Sequence, residues 1–346
     1  MFKTIRNAWK LPELRRKLLF VIFALLIFRV GAAIPVPYIN TEYLQDYIAA
    51  NSGTIFGLLN TLSGSALSQA TLFALSIQPY INASIIIQLL TIAIPALERL
   101  AKDGGEEGKK KIQSITRYTT LAIGLLQGFG YYTLIRSYGL LTNEGIWAAI
   151  VIVVSFTAGA VFLMWLGEQI TEFGVGNGIS IILFAGIVAR LPVTAGQVWS
   201  YFSAALQSPE SYSQYFIFAP LFVILFLAVI WIIVFMNDSE RRIPVQYAKK
   251  VVGRKMYGGQ STHLPIKVNM SGVMPIIFAS SILSLPQTIS MFWQPESGSV
   301  GAHILNLFSQ TSVFYIVLYA LLILAFAYFY ASIQFNPIEI ANNLKK

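Results

Sequence analysis

Residues 79–89 read PYINASIIIQL and lie within residues 71–96, a longer stretch that contains no charged residue. Similar apolar blocks recur along the chain, each near the roughly 20 residues that cross a hydrocarbon core of about 30 Å. Only 11% of the 346 residues are charged and 56% are hydrophobic, whereas a typical soluble domain is about 25% charged. The composition therefore predicts an all-α polytopic membrane protein.

Eight membrane spans are predicted from the apolar runs between charges and turn residues. They cover residues 18–34, 71–96, 118–136, 146–167, 178–206, 215–236, 271–293 and 312–333. The basic segment 1–17 before the first span is also typical of a cleavable signal peptide. Arg29 interrupts the apolar run and seven more spans follow, which favours an uncleaved first helix.

Lysines and arginines concentrate in alternate connections: residues 1–17, the loop after span two, loop 237–270 and the last residues of the chain. The positive-inside rule places these segments, and both ends of the given chain, in the cytoplasm. Arg29 and Arg190 are the candidate charges within spans, where snorkelling or bonding to carbonyls is the plain interpretation. No span contains Asp or Glu, which counts against an ion-coupled transporter.

An intramembrane protease or a metalloenzyme has little support in this sequence. The chain has no cysteine and two histidines, and it has neither an H-E-x-x-H nor a G-x-S-x-G motif. The glycine cluster at 174–178, GVGNG, lacks the lysine of a phosphate-binding loop and is interpreted as a tight cytoplasmic turn. We expect no catalytic residue, no metal and no cofactor.

A stretch similar to residues 79–89 occurs at residues 275–285, PIIFASSILSL, where Pro, Ile, Ala, Ser, Ile and Leu coincide without a gap. Chance similarity between apolar helices is the alternative. Span two runs inwards and span seven outwards, which is the relation expected of an inverted repeat. Five helices per half would follow, so we predict halves at 18–206 and 207–346, the second cut short at three spans.

The sequence pattern alone does not decide the roles of two further segments. Residues 53–67, GTIFGLLNTLSGSAL, are uncharged and too short to span, so they suit a re-entrant half helix or an ordinary interfacial helix. Loop 237–270 carries seven basic residues and two acids. It suits a polyanionic partner, although the positive-inside rule alone also requires lysines there.

Strings in five regions of this sequence resemble the SecY family, the bacterial-type pore subunit of the Sec protein translocase. They are FRVG and IPVP at 28–37, PYINASIIIQLL at 79–90, FLMWLGEQIT at 162–171, GNGISI at 176–181 and QSTHLPIKVNM at 260–270. The resemblance covers the whole chain. It implies an inverted-repeat bundle of ten helices, of which about eight are present, because the family continues beyond the last residues of this chain into another cytoplasmic loop and two more helices.

What the resemblance implies is a channel in the cell membrane, not an enzyme, that conducts unfolded secretory chains and releases hydrophobic segments into lipid. The implied pore ring consists of Ile77, Ile81, Ile179, Leu183 and Ile277. The implied plug at 53–67 includes Thr54, Ile55, Phe56, Gly57, Leu58, Leu59, Asn60 and Gly64. The implied lateral gate, between spans two and three and spans seven and eight, includes Gln88, Gln127 and Ser281.

The resemblance also implies partners. Loop 237–270 would dock ribosomes and the SecA motor ATPase through Arg241, Arg242, Lys249, Lys250, Arg254 and Lys255. The other implied partners are small subunits similar to SecE and SecG, secretory preproteins with their signal peptides, and membrane lipids. The alternatives are an inverted-repeat secondary transporter for a small solute and an insertase-like scaffold without a continuous pore.

Overall fold

The computed structural model describes residues 9–50, 60, 63–102, 104–207, 209–246, 250–252, 255–257, 261–292, 299–309 and 312–334. Its helices are α1 (Pro12–Gly31), α2 (Thr41–Ala50), α3 (Gln78–Ala93), α4 (Pro95–Lys102), α5 (Gly105–Ser137), α6 (Ile146–Phe173), α7 (Gly178–Val188), α8 (Leu191–Gln207), α9 (Pro209–Asp238), α10 (Met274–Phe292), α11 (Val300–Leu307) and α12 (Val313–Gln334). Its strands are β1 (Glu240–Gln246), β2 (Lys250–Val252), β3 (Lys255–Tyr257) and β4 (Ser261–Lys267). The chain divides into two compact units, Met1–Val193 with Ser281–Val317 and Thr194–Ser280 with Leu318–Lys346.

Each of the eight predicted spans overlaps a helix. Within the described residues, four helical stretches are long and apolar enough to cross a membrane: Ile146–Phe173, Gly178–Gln207, Gln214–Asp238 and Val313–Ser332. A fifth is added if α3 and α4, which bend by 106° at their junction, form one broken span. The predicted first span carries Arg29 and the seventh contains Pro286. Predicted spans one, three and seven lie on α1, α5 and α10, which are not among these stretches.

Span two begins later than the sequence predicts. Residues 63–77 form turns, and the α-helix starts only at Gln78, with Pro79 in its first turn. Ala70 and Ser76 adopt left-handed backbone with φ of 45° and 52°, which breaks a helix. The backbone finds partners elsewhere, because Val36 N donates to the Ala70 carbonyl at 2.9 Å and Leu72 N to the Ile34 carbonyl at 2.9 Å.

Two apolar clusters form the core of the first unit. The Ile77 cluster consists of Ala24, Phe28, Ala32, Ala66, Phe73, Ile77, Leu163, Leu166, Ile170 and Ile182. The Tyr131 cluster consists of Val36, Ile39, Leu44, Ile48, Leu67, Ala70, Ala74, Tyr131, Tyr132, Leu134, Ile135, Leu140, Ile152 and Phe156. The turns of residues 63–77 contribute to both clusters, so this segment is an interior element and not a surface loop.

The second unit carries a feature that the sequence pattern does not predict, an antiparallel ribbon in loop 237–270. Strands β1 and β4 pair along their whole length, with Glu240 opposite Lys267 and Gln246 opposite Ser261. Strands β2 and β3 form a second short pair. Helix α9 before the ribbon exposes apolar side chains on all sides, as a helix in contact with lipid does. In the same unit Phe278 packs against Phe326 and Tyr330.

Candidate functional site

Four of the five residues predicted for the pore ring lie together in the first unit. Ile77 belongs to the Ile77 cluster, and Ile81, Ile179 and Leu183 pack against it. Gly167 on α6 leaves room for Ile77 and Ile179 to pack beside it. A Cβ atom there would lie 2.9 Å from Ile179 Cδ1 and 3.5 Å from Ile77 Cδ1, so a larger residue would push the isoleucines apart.

The four side chains differ in exposure. Ile77 is fully buried, whereas Ile81, Ile179 and Leu183 are half-buried and keep accessible surface. Ile277 lies on α10 in the second unit and is also half-buried. Of the predicted set, Ile77 thus has the environment of a packing residue, and the others keep accessible apolar surface. The ring as a functional element stays a prediction.

Most of the predicted plug falls outside the described residues: Thr54, Ile55, Phe56, Gly57, Leu58 and Leu59. Asn60 and Gly64 are described. Asn60 is buried, its Oδ1 accepts from Ser68 N at 3.0 Å, and its carbonyl accepts from Ser65 N at 2.8 Å. The described part of segment 53–67 is thus anchored by polar contacts in a buried position.

A contact between two glycines fixes the same region. Gly64 has φ of +66°, and a Cβ atom there would lie 3.1 Å from the Gly186 carbonyl oxygen and 3.3 Å from Gly186 Cα on α7. A second anchor is the buried Tyr131 hydroxyl, which donates to the Leu67 carbonyl at 3.0 Å. This base, residues 63–77, is therefore held in place by contacts with α5 and α7.

The residues predicted for the lateral gate lie on three helices. Gln88 on α3 and Gln127 on α5 are half-buried, and Ser281 on α10 is buried. The Gln88 carbonyl accepts from Thr91 Oγ1 at 2.6 Å. Their role in a gate stays a prediction.

The predicted docking residues belong to the ribbons. Arg241 and Arg242 are exposed on β1, opposite Ile266 and Pro265 of β4. Because side chains alternate along a strand, the two arginines occupy opposite faces of the ribbon. Lys250 and Lys255 begin β2 and β3, while Lys249 and Arg254 lie outside the described residues.

One charged cluster was missed at the sequence level. Arg117 on α5 contacts Glu168 on α6 through two nitrogens, Nη2 to Oε2 at 2.8 Å and Nε to Oε1 at 3.1 Å. Gln113 Nε2 donates to the same Oε1 at 3.0 Å. Predicted span three begins at residue 118 and predicted span four ends at residue 167, so Arg117 and Glu168 fall just outside them. The signal available was that each is the first charge beyond its apolar run.

The turn predicted at the glycine cluster 174–178 joins α6 to α7. Asn177 Oδ1 accepts from Ser180 N at 3.2 Å and caps α7, and Gly178 N donates to Thr171 Oγ1 at 2.9 Å. Gly178 lies directly against the Gly167 carbonyl. Within the described ranges, no group of three or more His, Asp or Glu side chains gathers as metal ligands would.

Comparison with known proteins decides the family. The SecY family model matches residues 71–346. The chain belongs to the SecY family. It is 46% identical to protein translocase subunit SecY of Buchnera aphidicola subsp. Acyrthosiphon kondoi, over 97% of this chain and 94% of that protein. It is 46% identical to the Escherichia coli K12 subunit, over 97% and 75%, and 44% identical to the Bacillus subtilis 168 subunit, over 100% and 79%.

Solved structures agree on the fold of this SecY-family chain. A structure described as a protein conducting channel superposes with a TM-score of 0.58 at 19% identity, over 83% of this chain and 62% of that one. Sec61 in the canine ribosome–channel complex superposes with a TM-score of 0.57 at 19% identity, over 83% and 63%. The predicted SecY-like helical bundle is confirmed, and the protein is a multi-pass membrane protein.

Proposed function

We propose that this SecY-family chain is the central subunit of a channel that moves unfolded secretory proteins across the cytoplasmic membrane and releases hydrophobic segments into lipid. The observation that carries the proposal is the aliphatic surface of Ile81, Ile179 and Leu183 over the buried Ile77. An apolar constriction excludes water and ions by dewetting when closed. It also contacts a passing chain without binding one sequence tightly.

The proposed plug role of segment 53–67 rests on the family resemblance. The contacts of Gly64 with Gly186 and of Leu67 with Tyr131 support it, because they would hold residues 63–77 in place when the channel opens. The gate role of Gln88, Gln127 and Ser281 rests on the family resemblance, since polar contacts between gate helices are easier to part than closely packed apolar ones.

The proposed orientation places both ends of the given chain, and the ribbons of loop 237–270, in the cytoplasm, where the positive-inside rule puts basic segments. The proposed partners are SecE-like and SecG-like subunits, the SecA motor ATPase, the ribosome, and preproteins with signal peptides. The solved Sec61 structure comes from a ribosome–channel complex, and the relatives are named translocase subunits, which supports partners of this kind.

An inverted-repeat transporter for a small solute is the competing function. Such a transporter places polar or charged ligands on broken helices at the midplane, whereas the candidate pore presents aliphatic side chains. Of the two carboxylates on α6, Glu168 is already paired with Arg117, and Glu172 is exposed in the last turn of the helix. The composition of the site therefore favours a channel for polypeptides.

The function is tested by inserting the chain into vesicles with SecE-like and SecG-like subunits and SecA. We expect ATP-dependent protection of a preprotein from external protease, and loss of that protection when the signal peptide is deleted. Vesicles lacking this chain are the control. Equal protection with and without the signal peptide would contradict a signal-gated channel.

Reversing both ribbon arginines, Arg241→Glu with Arg242→Glu, should weaken coupling to SecA or the ribosome. Because the two side chains lie on opposite faces of the ribbon, the double variant removes positive charge from both. We expect the apparent affinity for SecA to fall about tenfold, equivalent to roughly 1.4 kcal/mol, while the chain still inserts into the membrane. Titration of SecA in the vesicle assay measures it.

The matched control for the ribbon is Lys110→Glu with Lys111→Glu, two exposed lysines at the start of α5. The control changes the net charge by the same amount on another cytoplasmic segment. If both pairs weaken SecA binding equally, the effect is general electrostatics and the ribbon is not the docking element.

A further inference from the structure

An apolar cavity lies at the surface of the first unit, between α1 and α6. Its volume is about 430 Å³, within the roughly 300–1,000 Å³ typical of sites for small ligands. Phe23, Leu26 and Val30 of α1 line it and are each 60% or more exposed, so the cavity opens to the surface. All nine of its lining residues are apolar, and they also include Ile27 of α1 and Phe162 of α6.

The floor of the cavity is Phe73, one of residues 63–77. Its ring stacks between the rings of Phe28 and Phe162, with centroid distances of 6.0 and 5.9 Å. The same ring lies directly over Gly31 of α1, where a larger residue would displace it. Whatever fills the cavity therefore packs beside a ring that joins residues 63–77 to α1 and α6.

A cation, Arg29, lies beside the cavity. Helix α1 has 20 residues, about 30 Å at 1.5 Å per residue, which matches the thickness of the hydrocarbon core. Arg29 is in the last turn of α1, at the end away from basic segment 1–17, and is exposed. It is a neighbour of Leu26 on the helix surface, three residues along. Arg29 forms no ion pair with another residue that the structure describes.

These two features call for different parts of one ligand. An exposed arginine in a membrane span is unfavourable unless an anion or the interface receives its charge, and a guanidinium binds phosphate through two parallel hydrogen bonds. An apolar cavity stays dry and takes an apolar occupant. Phe23 lies six residues, about 9 Å, deeper in the membrane than Arg29. That is the direction in which an acyl chain runs from its phosphate.

The size of the cavity favours an acyl chain over a transmembrane helix of a partner. A helix with its side chains is about 10–12 Å across and would need a furrow along the whole span. The cavity extends along α1 only from Phe23 to its end, which is about two to three turns.

We infer that this chain binds one phospholipid on the side of the membrane away from segment 1–17. Its phosphate is held by Arg29, and one of its acyl chains occupies the cavity against Phe73. The bound chain completes the packing around Phe73 and so helps to hold residues 63–77 against α1 and α6.

The site is tested by photocrosslinking in vesicles of phosphatidylethanolamine and phosphatidylglycerol that contain the chain assembled with SecE-like and SecG-like subunits. The probe is phosphatidylglycerol with a photoreactive group on one acyl chain, and mass spectrometry locates the crosslinked residues. We expect crosslinks within residues 23–34 and at Phe162. Crosslinks to exposed residues of α9 without any at these positions would overturn the inference.

The role of the charge is tested with Arg29→Gln, which should lower the crosslink yield in residues 23–34 about fivefold or more, because the phosphate loses its bidentate partner. The matched control is Arg136→Gln, an exposed arginine in the last turn of α5, which should leave that yield within about twofold because Arg136 does not line the cavity. An unchanged yield for Arg29→Gln, or an equal loss in both variants, would overturn phosphate binding by Arg29.

The role of the cavity is tested with Val30→Trp, which fills it from an exposed position. We expect the crosslink yield to fall about fivefold or more, because the acyl chain is excluded. Ile22→Trp is the control, since Ile22 is also exposed on α1 and does not line the cavity. Equal yields for the two variants would show that no acyl chain occupies the cavity.

A last comparison identifies the occupant without any translocation assay. Complexes assembled with and without the SecG-like subunit should give equal crosslink yields in residues 23–34. A yield that appears only without that subunit would assign the cavity to a helix of the subunit and overturn the lipid site. Because no preprotein is used, a complex that fails to translocate but keeps the crosslink contradicts the proposed function and upholds the lipid site.

Discussion

Ile81→Asp should raise the ion conductance of the resting channel by a factor on the order of ten or more. Ile81 is half-buried beside Ile179 and Leu183, so its replacement puts a carboxylate on the aliphatic surface of the candidate pore. A charge there holds water in the constriction and ends the dewetting that blocks ions. Conductance across a planar bilayer containing the assembled channel measures the effect.

The matched control is Ile81→Leu, which keeps an aliphatic side chain of similar volume and should leave the resting conductance unchanged. A resting conductance for Ile81→Asp equal to that of the unsubstituted channel would show that Ile81 does not line the closed pore.

Gly64→Val should loosen the plug base far more than Gly139→Val. Both glycines adopt left-handed backbone, with φ of +66° and +65°, so both substitutions carry a similar backbone penalty of roughly 1–2 kcal/mol. Of the two, only Gly64 lies close to other backbone. A Cβ atom there would lie 3.1 Å from the Gly186 carbonyl oxygen, whereas a Cβ atom at Gly139 would meet no atom within 4 Å. The difference between the variants isolates the Gly64–Gly186 contact.

We expect Gly64→Val to lose about 1–3 kcal/mol of stability beyond the loss of Gly139→Val and to leak ions at rest. The thermal unfolding midpoint of each purified variant measures the first effect, and bilayer conductance measures the second. Equal midpoints and equal conductances for the two variants would contradict a close-packed base at Gly64.

The helical fold could be predicted because apolar runs of membrane length leave few alternatives in lipid. The start of span two could not. Residues 71–77 are as apolar as the helix that follows, but they belong to a run of turns whose backbone is bonded to residues 34 and 36 and whose position is fixed by contacts with Tyr131 and Gly186. Such long-range partners have no local signal.

Some functional residues could be predicted from the sequence and others could not, for related reasons. The pore ring came from family resemblance, and the pattern alone could not separate the buried Ile77 from the half-exposed Ile81. The Arg117–Glu168 pair was missed because residues 51 positions apart meet only in the folded bundle. The β1–β4 ribbon was missed because Pro244 and Pro265 interrupt the alternation that marks a strand.

The most direct test of a protein-conducting pore is crosslinking to a secretory chain arrested during translocation. The single variants Ile81→Cys and Ile277→Cys carry the only cysteine of the chain, and Ile150→Cys, exposed on α6, serves as the lipid-facing control. We expect a crosslink to the arrested chain from both pore positions and none from the control. Absence of crosslinks at both pore positions, with the chain demonstrably arrested, would contradict the account.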